Sequence, residues 1–101
     1  MDTKIFPQFA SITKTITSSD VEKFAELSGD KNALHVSEEF ARETKYGKRV
    51  VHGMLLASLF SQIVGMHLGT QKVLYLSQTL NFKHPVYINE TINTEFKLKH
   101  F

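Results

Sequence analysis

Two side chains that could act together on a water molecule, Asp30 and His35, lie close together in a loop that leaves a helix. Adding water across a double bond requires a base that deprotonates the water and an acid that delivers a proton to carbon, and each such group typically contributes about 10²- to 10⁴-fold. Histidine is the side chain best suited to this exchange near neutral pH. The same residues also fit a turn in which Asp30 and Asn32 bond their own backbone, with His35 as a partly buried polar residue.

A second stretch, residues 50–54, places Gly53 at the start of a long apolar segment. A glycine at a helix start exposes backbone N–H groups and the positive end of the helix dipole. A thioester carbonyl bound there would be polarised, and removing one such donor commonly costs about 2.7–4 kcal/mol of transition-state stabilisation. Gly53 fits close helix-to-sheet packing equally well. His52 is more typical of a hydrogen-bonded core histidine than of a catalyst, so it is left out of the catalytic pair.

The elements that must position these residues can be read from the pattern of apolar residues. Ser11–Thr17 alternates in the manner of a strand. Ser19 followed by Glu22 predicts a capping box at the start of a helix that ends at Gly29, a good left-handed C-cap. Ser37 starts another helix, which ends near Gly47. The intervening residues 30–36 are predicted to form a loop.

A third helix and two further strands complete the prediction. Met54–Met66 is apolar around most of its circumference, which indicates a helix buried on nearly all sides. Lys72–Phe82 and Thr91–His100 have strand composition, and the second alternates cleanly between apolar and polar residues. A core helix followed by antiparallel strands predicts an α+β fold in which a curved sheet wraps the helix. Three strands leave two exposed edges, so either another chain completes the sheet or the sequence is shortened.

Composition narrows the class of protein. With 101 residues, of which 42% are hydrophobic, the chain has the size of one domain over residues 1–101. The lack of cysteine excludes disulfides and thiolate metal sites. The start at Met1–Phe9 has no targeting pattern, so we expect a cytoplasmic protein. We also expect no membrane span. Lys45, Lys48 and Arg49 fit either a solvated loop or contact with an anionic ligand. No aromatic residues interleave with them, so a nucleic-acid partner is not expected.

The sequence resembles the MaoC-like, or (R)-specific enoyl-thioester hydratase, family, which includes the type 2 hydroxyacyl-thioester dehydratases. Residues 24–35 (FAELSGDKNALH) resemble that family's hydratase motif, and residues 46–54 (YGKRVVHGM) resemble its second signature. Residues 76–82 and 85–88 are similar to the strand and turn that follow. The resemblance covers almost the whole chain from Ile12 onward.

This resemblance implies a hot-dog fold, a homodimer, and an acyl–coenzyme A or acyl-carrier-protein substrate. It implies that Asp30 and His35 hold the catalytic water, that the Gly53 amide binds the thioester oxygen, and that no cofactor is needed. By the same resemblance Asn32 helps to hold the loop and Ser61 supports the carboxylate or the water, with His52 as a further supporting residue. No metal is expected, because the five histidines lack the short spacing of a metal-ligand motif.

Two departures from the family accompany the resemblance. Ala33 stands where the family usually has proline, which removes a backbone restraint from the loop. Family members also continue for further strands beyond the position of Phe101.

The motifs and the resemblance together predict a hydro-lyase that interconverts trans-2-enoyl and (R)-3-hydroxyacyl thioesters. The alternatives are a non-catalytic acyl-thioester-binding partner of a complete hot-dog protein, and a hot-dog thioesterase.

Overall fold

The computed structural model of this chain describes residues 7–68 and 72–99. The elements follow one another as two strands flanking four helices: β1 (Phe9–Thr15), α1 (Ser18–Ser28), α2 (Ala33–Val36), α3 (Glu38–Arg42), α4 (Gly53–Met66) and β2 (Thr91–Lys97). Two parts of the predictions lie outside the described residues: residues 1–6 of the stretch Met1–Phe9, and His100, the predicted end of the last strand. No helix in these two ranges is both long enough and apolar enough to cross a membrane.

The two strands pair in an antiparallel sheet, with Phe9 opposite Lys97 at one end and Thr15 opposite Thr91 at the other. Along β2 the even-numbered side chains are partly or fully buried and the odd-numbered ones are exposed. On the exposed face, Ser11 donates to Asn93 Oδ1 at 2.7 Å. The alternation predicted for the second strand is confirmed along β2, which ends at Lys97. Along β1, which runs from Phe9 to Thr15 instead of Ser11–Thr17, the alternation holds for Ala10 and Ile12, but Lys14 is exposed.

The predicted strand Lys72–Phe82 is wrong, because the structure gives these residues no strand pairing. Leu74 and Leu76 remain 82% and 89% exposed. Strand propensity describes how well a side chain fits a pleated, half-buried surface, and it produces a strand only where a neighbouring backbone supplies the hydrogen bonds. Residues 72–99 form one strand, β2, and one isolated bridge, in which Tyr87 pairs with Val50.

The N-cap of helix α1 lies two residues before the predicted cap, Ser19. The N-cap is Thr17, whose hydroxyl accepts from the Asp20 N–H while the Asp20 carboxylate accepts from the Thr17 N–H, a complete capping box. The predicted box of Ser19 and Glu22 is therefore wrong. Thr17 follows the last residue of β1 with one residue, Ile16, between them, and it keeps extended backbone angles, which is the geometry a cap requires. Gly29 ends the helix in the left-handed conformation, as predicted.

The short helices α2 and α3 revise the prediction for the next stretch. The predicted loop at residues 30–36 contains α2, a single turn. Ser37 caps α3 as predicted, but the helix ends at Arg42 instead of near Gly47. The Thr44 hydroxyl explains the early end, because it donates to the Ala41 carbonyl and accepts from the Tyr46 N–H, and so replaces helical bonds by a turn.

Helix α4 is the central helix of the fold and contacts both strands. It starts at Gly53 and ends at Met66, as predicted. Ala57, Leu59 and Ile63 are buried on it, and the core around it contains the fully buried residues Ile16, Val21 and Val51. Burial on nearly all sides is not observed in the described residues, because the two-stranded sheet covers one side of α4 and leaves Met54 58% exposed.

Candidate active site

The loop after α1 is built from hydrogen bonds between neighbouring residues. Ser28 Oγ accepts from the Asp30 N–H at 3.1 Å, Asp30 Oδ1 accepts from the Asn32 N–H at 3.2 Å, and Asn32 Oδ1 accepts from the Leu34 N–H at 2.9 Å. Asn32 is thereby the N-cap of α2, which presents His35. The turn that competed with catalysis as an interpretation is present, and it uses only one of the two Asp30 carboxylate oxygens.

The remaining oxygen of Asp30 faces the ring of His35. Oδ2 lies 3.9 Å from His35 Nε2, too far for a direct hydrogen bond. On the other side of the ring, His35 Nδ1 lies 2.6 Å from the Val50 carbonyl oxygen. Because a carbonyl only accepts, Nδ1 carries a proton, so in the neutral form of the ring the lone pair of Nε2 faces Asp30.

His52 supports both members of this pair. Its side chain is 2% exposed, and Nε2 donates to the Asp30 carbonyl oxygen at 2.9 Å. Its ring stacks on that of His35 with centroids 3.9 Å apart, and the ring of Phe24 meets it edge-on at 4.9 Å. Its Nδ1 has no hydrogen-bond partner among the described residues. The contacts fit the supporting position predicted for His52.

Gly53 opens α4 immediately after His52. Within residues 7–68 and 72–99 no acceptor takes the Gly53 N–H, and the N-cap His52 gives no side-chain capping bond. A methyl group at Gly53 would lie 3.1 Å from two carbons of the Phe82 ring. In the described residues the amide is free, and the lack of a side chain lets Phe82, which is not in the sheet, approach closely. The role of the Gly53 amide in binding a thioester oxygen stays a prediction.

His35 and Gly53 line the same cavity, which has a volume of about 380 Å³. Its wall includes Tyr46 and continues through Phe82 and Lys83 to Val86. Asp30 is not among the residues that line this cavity; its side chain is 53% exposed and faces the ring of His35. A ligand in the cavity would meet an imidazole nitrogen on one side and the start of α4 on another.

Ser61, the supporting residue predicted on the central helix, lies on α4. It lies eight residues beyond Gly53, about 12 Å along the helix axis, and is exposed. It lines a second cavity, of about 340 Å³, with Phe24 and Tyr75. No hydrogen bond in the described part of the chain joins Ser61 to Asp30 or His35. Its supporting role stays a prediction.

Asp30, His35 and His52 each place one potential ligand atom within 4.8 Å of the others. A metal ion lies close to the plane of each imidazole that binds it, about 2.0–2.1 Å from the nitrogen for zinc. The two rings are stacked with planes inclined by 24°, so their in-plane lone pairs run side by side. This arrangement fits packed, hydrogen-bonded imidazoles better than three converging ligands. The predicted lack of a metal stays a prediction.

Arg49 is a residue near the site whose burial was not predicted from the sequence. It was grouped with Lys45 and Lys48, but only the lysines are exposed, each with its ammonium over a tyrosine ring. Arg49 is 8% exposed and turns inward. The signal for this was its place beside Val50 and Val51, since an arginine that leads into a buried apolar run needs internal hydrogen-bond partners.

The described residues form an α+β domain in which His35, which faces Asp30, and the first residue of α4 lie on one cavity. A sequence profile of the MaoC like domain matches residues 7–100, and the chain belongs to this family. Among solved structures, the (R)-hydratase of Aeromonas caviae involved in PHA biosynthesis superposes with a TM-score of 0.87 and 40% identity, over 91% of this chain and 70% of that one. The fold is therefore the predicted hot-dog fold.

Curated relatives carry hydratase and dehydratase names. The 3-hydroxybutyryl-CoA dehydratase of Methylorubrum extorquens is 42% identical over 86% of this chain and 55% of its own length. The (R)-specific enoyl-CoA hydratase of Rhodospirillum rubrum is 44% identical over 84% of this chain and 59% of its own length. The chain thus spans less than two thirds of these relatives.

Proposed function

We propose that this chain catalyses the reversible hydration of trans-2-enoyl thioesters to (R)-3-hydroxyacyl thioesters. The observation that carries the proposal is the geometry of Asp30 and His35. The carboxylate oxygen of Asp30 and the imidazole Nε2 of His35 face each other at 3.9 Å, a separation that one water molecule can bridge, and in the neutral form of the ring Nε2 carries no proton. Both atoms accept hydrogen bonds, so a water between them donates its two hydrogens and turns a lone pair outward.

The reaction follows from this orientation. The water oxygen bonds to the β-carbon of the enoyl group while Asp30 takes a proton from it, with His35 orienting the water and sharing the proton transfer. Electrons move to the carbonyl oxygen, and the proton that Asp30 has taken from the water is then delivered to the α-carbon, which restores the carbonyl group and the Asp30 carboxylate. The free Gly53 N–H is placed to stabilise the negative oxygen, as a preorganised donor does best when no other acceptor competes for it.

The names of the relatives support both substrate carriers. Two relatives are named for coenzyme A thioesters, and a mitochondrial relative in Arabidopsis thaliana, 41% identical over 79% of this chain, is named a 3-hydroxyacyl-[acyl-carrier-protein] dehydratase. We include in the proposal an acyl–coenzyme A or acyl-carrier-protein substrate, a homodimer, and a single domain over residues 1–101. The cytoplasmic location stays a prediction, which imaging of the tagged protein in cells would test.

Incubation of the purified chain with crotonyl–coenzyme A tests the function. A hydratase removes the absorbance of the conjugated double bond without releasing free thiol. A thioesterase releases thiol instead, and a non-catalytic binding subunit binds the thioester without changing it. Absence of hydration by folded, dimeric protein would overturn the proposal.

A further inference from the structure

Arg49 is a buried cation next to the catalytic loop. It stands between the exposed Lys48 and the partly buried Val50, four residues before Gly53, with 8% of its surface exposed. Burying a guanidinium is costly unless hydrogen bonds and an opposite charge compensate for the lost hydration. Its contacts therefore indicate which parts of the molecule it holds.

The residues Arg49 and Val50 hold α2 by three hydrogen bonds. Arg49 Nε donates to the His35 carbonyl oxygen at 2.6 Å, and the Val50 N–H donates to the Leu34 carbonyl oxygen at 3.2 Å. The third is the bond at 2.6 Å from His35 Nδ1 to the Val50 carbonyl oxygen. The main chain and the ring of His35 are thus both attached to the same two residues.

The outer end of the guanidinium reaches two other helices. Nη1 donates to Ser18 Oγ at 3.1 Å, at the first residue of α1, and lies 3.8 Å from Glu38 Oε1, at the first residue of α3. The planar guanidinium offers these donors in a fixed fork, which a lysine ammonium cannot reproduce. Arg49 therefore joins the starts of α1 and α3 to the main chain of His35.

We propose that Arg49 is a positioning residue for His35. By holding the His35 carbonyl, it keeps ring Nδ1 on the Val50 carbonyl and keeps Nε2 directed towards Asp30, so that the proton of the neutral ring stays on Nδ1. The kinetic part of this inference rests on the proposed hydratase function, whereas the effect on the ring rests on the geometry alone. A buried arginine that only stabilised the fold would change the folded fraction and leave the ring and the turnover of the folded protein unaltered.

The test compares three variants of the full chain: Arg49→Lys, Arg49→Gln, and Arg42→Gln as a matched control. Arg42 is the other arginine of the sequence and is exposed on α3. The first readout is the pair of imidazole ¹⁵N shifts of His35, measured in the neutral ring and assigned by their loss in His35→Ala. The second is the split between kcat and KM for crotonyl–coenzyme A, corrected for the folded fraction by circular dichroism.

In the wild type and in Arg42→Gln, the ¹⁵N shifts are expected to show the proton on Nδ1. In Arg49→Lys the two shifts move towards each other as the tautomers mix. Its kcat falls by about 10- to 100-fold with little change in KM, as small misplacements of reacting groups cost rates of this order. Folded Arg49→Gln is expected to show the same change in the His35 ¹⁵N shifts. If Arg49→Gln does not fold, Arg49→Lys, which keeps the charge, tests the inference alone.

Folded Arg49→Lys with wild-type ¹⁵N shifts would overturn the inference, whatever its activity. If the wild type does not hydrate crotonyl–coenzyme A, the proposed function fails, and the ¹⁵N shifts still decide whether Arg49 orients His35. If the wild type is active and Arg49→Lys turns over at its rate, Arg49 has no positioning role in catalysis.

Discussion

At the scale of single residues, one side chain, Asp30, belongs both to a turn and to the pair that we propose to be catalytic. Asp30 gives Oδ1 to the Asn32 N–H and leaves Oδ2 facing His35. The turn therefore fixes the carboxylate instead of competing with its use. The sequence predicted both residues, but it could not predict the tautomer of His35, which depends on a carbonyl fifteen residues away in the chain.

Gly53 offers a test of why a glycine is required there. In Gly53→Ala the backbone N–H remains, but the new methyl group meets the Phe82 ring at 3.1 Å and pushes it within the shared cavity. We expect kcat/KM for crotonyl–coenzyme A to fall and to recover in the double variant Gly53→Ala/Phe82→Ala. Phe82→Ala alone serves as the control. Failure of the double variant to recover would mean that space for Phe82 is not what the glycine provides.

At the scale of elements, the start of α1 shows how a cap is chosen. Thr17 and Ser19 both have hydroxyls, and a carboxylate lies three residues after each. The position nearer the strand forms the box, because the chain is still extended there. The sequence pattern located the helix and its C-cap, Gly29, correctly. The choice between the two candidate N-caps, Thr17 and Ser19, depended on where β1 stops pairing.

This choice predicts unequal effects of two alanine substitutions. Thr17→Ala removes the side-chain acceptor of the Asp20 N–H and is expected to lower the free energy of unfolding by about 1 kcal/mol. Ser19→Ala is the matched control and is expected to have little effect. Chemical denaturation measures both, and a larger loss in Ser19→Ala than in Thr17→Ala would contradict the observed capping box.

The same cap makes stability depend on pH. The hydrogen bond from the Thr17 N–H lowers the pKa of Asp20 below its ordinary value of 3.8, against a smaller opposing effect of burial. A carboxyl group with a lowered pKa in the folded state contributes stability above its unfolded pKa, and this is lost as pH falls through the folded pKa. We therefore expect Asp20→Asn to reduce the difference in unfolding free energy between pH 6 and pH 3. An unchanged difference would contradict the role of Asp20.

Residues 72–82 show what a local sequence pattern cannot predict. Its apolar and aromatic residues favour a strand, but a strand also requires hydrogen-bonding partners, and these lie far away in sequence. The same limit applies to Arg49, whose neighbours Lys45 and Lys48 suggested an exposed basic cluster. Its partners Ser18 and His35 become visible only when α1, α2 and the start of α4 are brought together.

At the scale of the whole molecule, the candidate site joins two separate stretches of chain. Residues 30–35 follow α1, and residues 49–53 lead into α4, and hydrogen bonds from Arg49, Val50 and His52 connect the two. The core packs against both, since Val21 of α1 and Val51 belong to one cluster with Leu59 of α4. Damage to the core should therefore reach the site.

We expect the chain to unfold in one cooperative step, in keeping with the proposal of a single domain. The sequence has three tyrosines and no tryptophan, so tyrosine fluorescence reports on tertiary contacts while far-ultraviolet circular dichroism reports on helices. Tyr87 bridges to Val50, which is tied to α2. The two signals should give coincident denaturation curves. Separate midpoints would contradict a single unit.

The central claim is that Asp30 and His35 together activate water, and the most direct measurement is the turnover of crotonyl–coenzyme A by Asp30→Asn and His35→Ala beside the wild type. Circular dichroism shows whether each variant keeps the fold. The account predicts that each substitution lowers kcat by at least about 10²-fold while the fold persists. Wild-type rates in either folded variant would contradict it.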